Sequence, residues 1–402
     1  MEASIYRLRH RDILALCVLS LLAIGAIMVQ SASSGVTGKD VWQWSAMGGK
    51  HLRFAIVAAI SFLVIGRFDY LWLGRKHNSI LRSPIFWATS ISILLCMAVL
   101  APGIGSAVNG ARRWIKLGPV QIQPSELAKW AVVLFLAYCL TFKHPGDRFI
   151  TGFLPLMIPV GILCLLVVIQ DFGTAALIAV CAFTMLLAGR VKLSHLAIVL
   201  IPAMLAGAWF VMHKAYRMKR LMAFSDPWAS PQGEGYHMIQ SILSFSSGGL
   251  FGRGLGNGVQ KLGYLPEDTT DFIFSIVCEE LGLFGAMLTI VLYMGILFVA
   301  WQVIKQKRDN FGKMLAFGTA SMLGLQAAIN VAVATVSVPT KGLSLPLISA
   351  GGTGLVITCA ALGLLYSVTR FAHRPELAQP RNDEEDMPPH RLHGPPRFRH
   401  AA

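Results

Sequence analysis

Asp271 is the residue whose setting most invites chemistry. It closes the run Tyr264-Leu-Pro-Glu-Asp-Thr-Thr-Asp271, and Phe-Ile-Phe follows at the mouth of a long apolar stretch. A carboxylate at that edge is costly unless it has a task. One task is an N-cap, since Asp satisfies the free amides where a helix begins. The other is a general base or a metal ligand, and spacing alone leaves both open. Glu279 and Glu280 lie two turns further in, so at least one must meet a polar cavity or a basic partner.

A second polar run, residues 109–129, carries Arg112, Arg113 and Trp114 and ends in Pro124-Ser-Glu126 and Lys129. Proline favours the first turn of a helix. Glu126 and Lys129, three apart, would share a face and pair. Guanidinium forks beside a membrane-buried carboxylate and lysine suit phosphate oxygens. The alternative is an interfacial tryptophan with basic neighbours gripping headgroups. Asp171 reads first as a helix cap and Arg53 as a snorkelling cation. Tyr236, Ile239 and Leu243 mark one face of a short amphipathic helix, expected to lie along the outer surface. Glycines 252, 254, 256 and 258 follow no strand and precede no Lys-Ser/Thr pair, which excludes a nucleotide loop. Close backbone packing is expected there instead. Val338 to Leu355, with two prolines and a run of glycines, predicts a broken or re-entrant segment lining a cavity or packed on protein.

The elements that must position these residues are membrane spans. Only 14% of the chain is charged, 55% is hydrophobic and mean hydropathy is +0.60, against about 25% charged in soluble domains. A window of about twenty apolar residues finds ten stretches, at 13–32, 52–70, 84–101, 124–142, 152–170, 173–189, 194–212, 272–303, 312–338 and 347–370. The second and sixth are the shortest for a crossing, and the eighth is long enough to tilt. The fold class is therefore an all-α polytopic membrane protein with ten transmembrane helices. The net charge of +15 is split into short clusters between apolar runs, a topology pattern and not a nucleic-acid patch. It puts both termini in the cytoplasm and the long loop 213–271, between helices 7 and 8, outside. Residues 1–372 form the membrane domain. Residues 373–402, rich in Pro, Arg, His and acids, form a disordered cytoplasmic tail. The seven cysteines lie in apolar runs without metal-ligand spacing.

Taken together, five motifs resemble those of the SEDS family (shape, elongation, division and sporulation), in the same order and across all ten spans. They are Asn109-Gly-Ala-Arg-Arg-Trp-Ile with Gln123-Pro-Ser-Glu-Leu-Ala-Lys129; Asp171-Phe-Gly-Thr; Gly235-Tyr-His-Met-Ile-Gln-Ser; Tyr264-Leu-Pro-Glu-x-x-Thr-Asp-Phe-Ile-Phe; and Lys341-Gly-Leu-Ser-Leu-Pro-x-Ile-Ser. Asp226-Pro-Trp, Pro339-Thr-Lys-Gly-Leu and residues 255–267 are more similar to the cell-division branch than to the elongation branch.

The resemblance implies the SEDS fold and a peptidoglycan glycosyltransferase of the cytoplasmic (inner) membrane, at the division septum. It would join lipid II units into glycan strands and release undecaprenyl diphosphate. Implied partners are a class B penicillin-binding transpeptidase and other divisome membrane proteins, with no nucleic acid. Asp271 becomes the catalytic residue, or the ligand of a divalent cation (Mg or Mn), with no organic cofactor. Arg53, Arg113, Glu126, Lys129, Asp171, Gln240 and Lys341 fall on the family's substrate- and diphosphate-binding positions. Two departures stand out. Thr269 replaces a common histidine, and Ser349-Ala-Gly-Gly-Thr-Gly354 replaces a common Ser-Tyr-Gly-Gly-Ser-Ser. The alternatives are a lipid II flippase, an elongation-type polymerase and a non-catalytic division scaffold. A polar cluster near the outer face, not at the midplane, weighs against transport.

Overall fold

Every apolar stretch becomes a helix. The computed structural model describes residues 9–371 apart from 38–45, 77–78, 109–110, 119, 144–147, 214 and 307–308. Ten apolar helices occupy the ten expected stretches: α1 (His10–Thr37), α2 (Ala46–Ile65), α3 (Pro84–Leu100), α4 (Pro124–Phe142), α5 (Leu154–Gln170), α6 (Phe172–Ala188), α7 (Leu193–Met212), and, beyond two short helices, α10 (Ile273–Gln306), α11 (Asn310–Ala334) and α12 (Thr353–Arg370). Among the described residues, eight are long and apolar enough to cross a membrane, while α3 and α6 are shorter apolar helices. The short helices α8 (Ala215–Ser225) and α9 (Tyr236–Gly248) lie in the long loop. The tail 373–402 lies outside the described residues.

Four features differ from the sequence reading, each for a local reason. Helix α2 starts earlier, at Ala46, and ends at Ile65, because Gly66 packs against the Tyr366 ring, and 3-10 turns follow at 70–72 and 80–82. Within its span rather than at an end, helix α10, 34 residues long, bends at Gly282, whose φ of 66° no helical residue adopts. The last helix begins only at Thr353, since residues 338–352 form the expected re-entrant loop. The fourth difference is a three-stranded antiparallel sheet, β1 (Gly105–Val108), β2 (Ala111–Leu117) and β3 (Val120–Ile122), inside an otherwise helical chain. Its β2–β3 turn passes through Gly118 at φ 60°.

Helix α9 also departs from expectation. Its buried face is Met238, Ile239, Ser241, Ser244 and Gly248, whereas Leu243 is exposed. Small residues let it press against α10: a Cβ on Gly248 would stand 2.0 Å from the Cys278 carbonyl oxygen. Ser241 Oγ lies 2.7 Å from Ser275 Oγ and donates to the Ala334 carbonyl at 2.6 Å. One face of the helix is thus packed against α10, and Ile242 and Leu243 lie exposed on the other.

The glycine-rich loop behaves as expected. A Cβ on Gly252, at φ 77°, would lie 2.1 Å from the Glu280 carbonyl oxygen. Glu279 takes the amides of Val259 (2.8 Å) and Gln260 (3.2 Å). Glu280 pairs with Lys261 Nζ at 2.9 Å and accepts from Ser31 Oγ of α1 and the Gly256 amide. Both glutamates are thus structural groups, buried but paired.

Candidate active site

A cavity of about 890 Å³ sits where β2, α8, α9, the 338–352 loop and the start of α10 meet. Asp271 is on its wall, two residues before α10. Among the described residues no N–H donates to its carboxylate, so it is not serving as the cap of α10. Its backbone is held instead. The Asp271 carbonyl accepts from Asn330 Nδ2 at 2.8 Å, and the same amide donates to the Leu343 carbonyl at 2.7 Å. Two carbonyl partners require an NH2 at that place, which settles how the Asn330 amide is turned. The Asp271 carboxylate lies against the Gly342 backbone, where an added Cβ would stand 3.3 Å from Oδ2.

Opposing forces act on Asp271. Burial pushes its pKa up most, and the negative fields of Glu267 and Asp171 add to that. Arg113 and Arg220 pull it down and lose, leaving a value of about 7. Half of these carboxyls are therefore protonated near neutral pH, the condition suited to a general base.

The cationic side of the cavity is built on Asp171. It caps α6, accepting from the Gly173 amide (2.9 Å), the Thr174 amide (3.3 Å) and Thr174 Oγ1 (2.9 Å). Its Oδ2 also lies 3.9 Å from Arg113 Nη1, while Arg113 Nε donates to the Gln170 carbonyl at 2.8 Å. The cap reading is right, and the cap also orients an arginine. Lys341 Nζ stands 5.7 Å from the Phe172 ring centroid, a cation–π contact next to the same cap.

The expected Glu126–Lys129 pair forms at 2.8 Å on the first turns of α4. Lys129 is 1% exposed and does not line the cavity. It lies one layer behind, between Glu126 and Gln326 Oε1 (2.8 Å), both of which do line it. Gln326 Nε2 passes the contact on to the Ser344 carbonyl at 2.8 Å. The two departures from the family pattern are accommodated. The Thr269 carbonyl accepts the Ala350 amide at 2.9 Å, and a Cβ on Gly354 would lie 3.1 Å from the Glu126 carboxyl.

The structure thus gathers Asp271, Arg113, Glu126, Asp171 and Lys341 around one cavity. It does not bring in two others. Arg53 is exposed on α2 and spends its Nε on the Gly49 carbonyl (3.3 Å), and Gln240 is half-buried on α9 away from the lining. Four cavity or support residues were not marked as site positions by the sequence: Arg220, which lies in a basic run, His237, which lies in the Gly235–Ser241 motif, and Gln326 and Asn330. The last two carried a signal, polar amides one turn apart in an apolar span. His237 is stacked on Phe272 (5.8 Å between ring centroids), and burial first, then Arg220, holds its pKa below the usual value.

Among the described residues no three His, Cys, Asp or Glu side chains converge as a metal cluster. A single carboxylate fits a Mg²⁺ or Mn²⁺ that takes its remaining ligands from substrate phosphate and water.

Residues 11–374 match the Cell cycle protein family (FTSW_RODA_SPOVE). The "Probable peptidoglycan glycosyltransferase FtsW" of Trichlorobacter lovleyi is 39% identical over 371 residues, covering 90% of this chain and 94% of the relative. That of Geobacter sp. strain M18 is 37% identical over 367 residues, covering 90% and 98%. Two solved structures share the fold at 24% identity. A chain of a peptidoglycan synthase complex, studied for its coordination of polymerization and crosslinking, has a TM-score of 0.69 and coverage of 90% and 98%. The rod shape determining protein RodA of Thermus thermophilus has 0.60, with coverage of 90% and 97%. With its motifs, its helical bundle and this match over most of its length, the chain belongs to the FtsW/RodA/SpoVE family of cell cycle proteins, the SEDS family.

Proposed function

We propose that this protein is a peptidoglycan glycosyltransferase of the division type, polymerising lipid II in the outer leaflet of the cytoplasmic membrane at the septum. One observation carries the reading: a carboxylate that caps no helix shares a single cavity with Arg113 and Lys341. The two relatives above, 39% and 37% identical to this chain, are both named FtsW, which supports the division branch over the elongation branch.

In this reading Asp271 takes the proton of the acceptor sugar's 4-hydroxyl. The oxygen attacks the anomeric carbon of the donor, a C–O bond forms, and the bond to the diphosphate breaks. The electron pair leaves with undecaprenyl diphosphate. Arg113, fixed by the Gln170 carbonyl and Asp171, and Lys341, fixed over Phe172, stabilise the charge growing on the leaving group. Preorganised donors of this kind contribute several kcal/mol (~3) to such a step. Glu126, Lys129 and Gln326 hold the opposite wall. A divalent cation bound by Asp271 and the substrate would supply further neutralisation of the diphosphate. A class B penicillin-binding transpeptidase is the partner that would cross-link the product, in keeping with the synthase complex that shares this fold.

The test is polymerisation of labelled lipid II by the purified chain with its cognate transpeptidase, with and without chelator. Wild-type protein yields glycan strands, and Asp271→Ala, correctly inserted, yields none. Strands from Asp271→Ala would overturn the assignment. Lipid translocation in proteoliposomes without any glycan product would favour the flippase.

A further inference from the structure

At the bundle end away from Asp271, the segment joining α2 to α3 builds a second recess. Helix α3 rises 17 residues, about 25 Å, from this segment to the sheet that carries Arg113. The recess holds about 310 Å³ and is lined by Trp72, Arg75, Arg82, Pro84 and Trp87. Both arginines are exposed, and neither side chain has an ion pair or a hydrogen bond among the described residues. Two guanidinium groups facing one recess without a counter-charge repel each other unless an anion joins them. Two half-exposed indoles, Trp72 at 52% and Trp87 at 59%, flank them. Indoles favour the depth where headgroup meets hydrocarbon.

The recess is held rigidly. Tyr70 donates its hydroxyl to Asp309 at 3.0 Å and stacks on Phe311 of α11, and its amide donates to Ser367 Oγ of α12 at 3.2 Å. Gly74 lies so close to the Phe311 ring that a Cβ would stand 2.4 Å from it. Asp69 and Ser79 cap the two 3-10 turns, and Ser83 caps α3 beside Pro84. Seven such ties anchor the described parts of the connection that carries both arginines.

We propose that this recess is a binding site for the phosphodiester headgroup of an anionic glycerophospholipid in the leaflet opposite the Asp271 cavity. Guanidinium forks match phosphate oxygens bidentately, and the indoles grip the glycerol and upper acyl chain. The site stands independently of the catalytic reading.

The experiment uses the full chain in phosphatidylcholine nanodiscs doped with phosphatidylglycerol, with retained lipid counted by native mass spectrometry. Wild-type protein keeps a phosphatidylglycerol that phosphatidylcholine does not displace. Arg75→Ala/Arg82→Ala lowers that affinity by roughly thirtyfold, the usual worth of two basic side chains at an anionic surface. Arg190→Ala/Lys305→Ala, at the same end of the bundle, leaves it unchanged. Three results would overturn the assignment: equal loss in that control pair, full retention by Arg75→Lys/Arg82→Lys, or displacement of the lipid by millimolar inorganic phosphate. The first two reduce the recess to general surface charge, and the third makes it a soluble-anion pocket.

Discussion

At the scale of single residues, the chemistry rests on how Asp271 is held. Its pKa, raised to about 7 chiefly by burial, leaves an ionised fraction that shrinks as pH falls below that value. The sign follows: a base must be unprotonated, so lipid II polymerisation rises about tenfold per pH unit below 7 and levels off above it. A pH–rate profile without an acid limb near 7 would remove Asp271 from the base role. Asn330 sets where that carboxylate stands, by tying the Asp271 and Leu343 carbonyls together. Asn330→Leu leaves both carbonyls without a donor, at about 1–3 kcal/mol each. A misplacement of this kind is expected to lower kcat by about 10–100-fold while KM stays near wild type. Steady-state kinetics on the purified variant checks the split, and a wild-type kcat would refute the positioning role.

Among the elements, the loop 248–263 and the kink in α10 act as one device. Gly282 bends the helix so that Glu279 and Glu280 turn toward the loop, and the loop's glycines come within backbone contact of it. Lys261 closes the arrangement by reaching Glu280, Ser31 and the Gly256 carbonyl. Removing one partner of a fully buried pair strands the other charge, at about 3–5 kcal/mol. Lys261→Met should therefore lower the thermal midpoint in detergent markedly, and Lys261→Met/Glu280→Leu should recover most of it. An unchanged midpoint for the single variant would show that the pair is not carrying α1 and α10 together. The re-entrant loop is strained in a similar spirit. Leu347, buried at φ 68°, adopts a backbone that costs about 1–3 kcal/mol for a side chain of its size. Gln326, Asn330, the close approach of Gly25 and the Tyr293 hydroxyl on the Pro346 carbonyl hold it there.

For the molecule as a whole, the two ends of the bundle differ in kind. One end carries the carboxylate-and-cation cavity, and the other carries short basic connections, Arg75 and Arg82 among them. That asymmetry is what the positive-inside rule uses to orient a bundle. By that rule Lys219 on α8 and Lys305 at the end of α10 are expected on opposite sides of the membrane. In intact cells Lys219→Cys should react with a membrane-impermeant maleimide, and Lys305→Cys only after permeabilisation. Six of the seven native cysteines are buried, so background is low. Labelling in the reverse order would invert the topology and remove the extracytoplasmic reading of the cavity.

The division of labour between sequence and tertiary structure is clear for particular residues. Apolar length alone marked ten helices, because a bilayer demands a run of about twenty apolar residues. Local rules also found the Asp171 cap and the Glu126–Lys129 pair, since both act within one turn of helix. The re-entrant 338–352 loop was legible from its prolines and glycines. Alternation in Ala111–Leu117 went unread as a strand, and the buried face of α9 was misplaced, because serines and glycine and not leucine make its contacts. Which charges share a cavity was decided only in three dimensions. Arg113 and Lys341, more than two hundred residues apart, meet beside one helix cap, whereas Arg53 and Gln240, marked by the same family resemblance, fall outside the lining. Sequence patterns report forces between neighbours along the chain. The field that sets Asp271 sums over burial and charges brought in by distant helices, and only the packed bundle determines it.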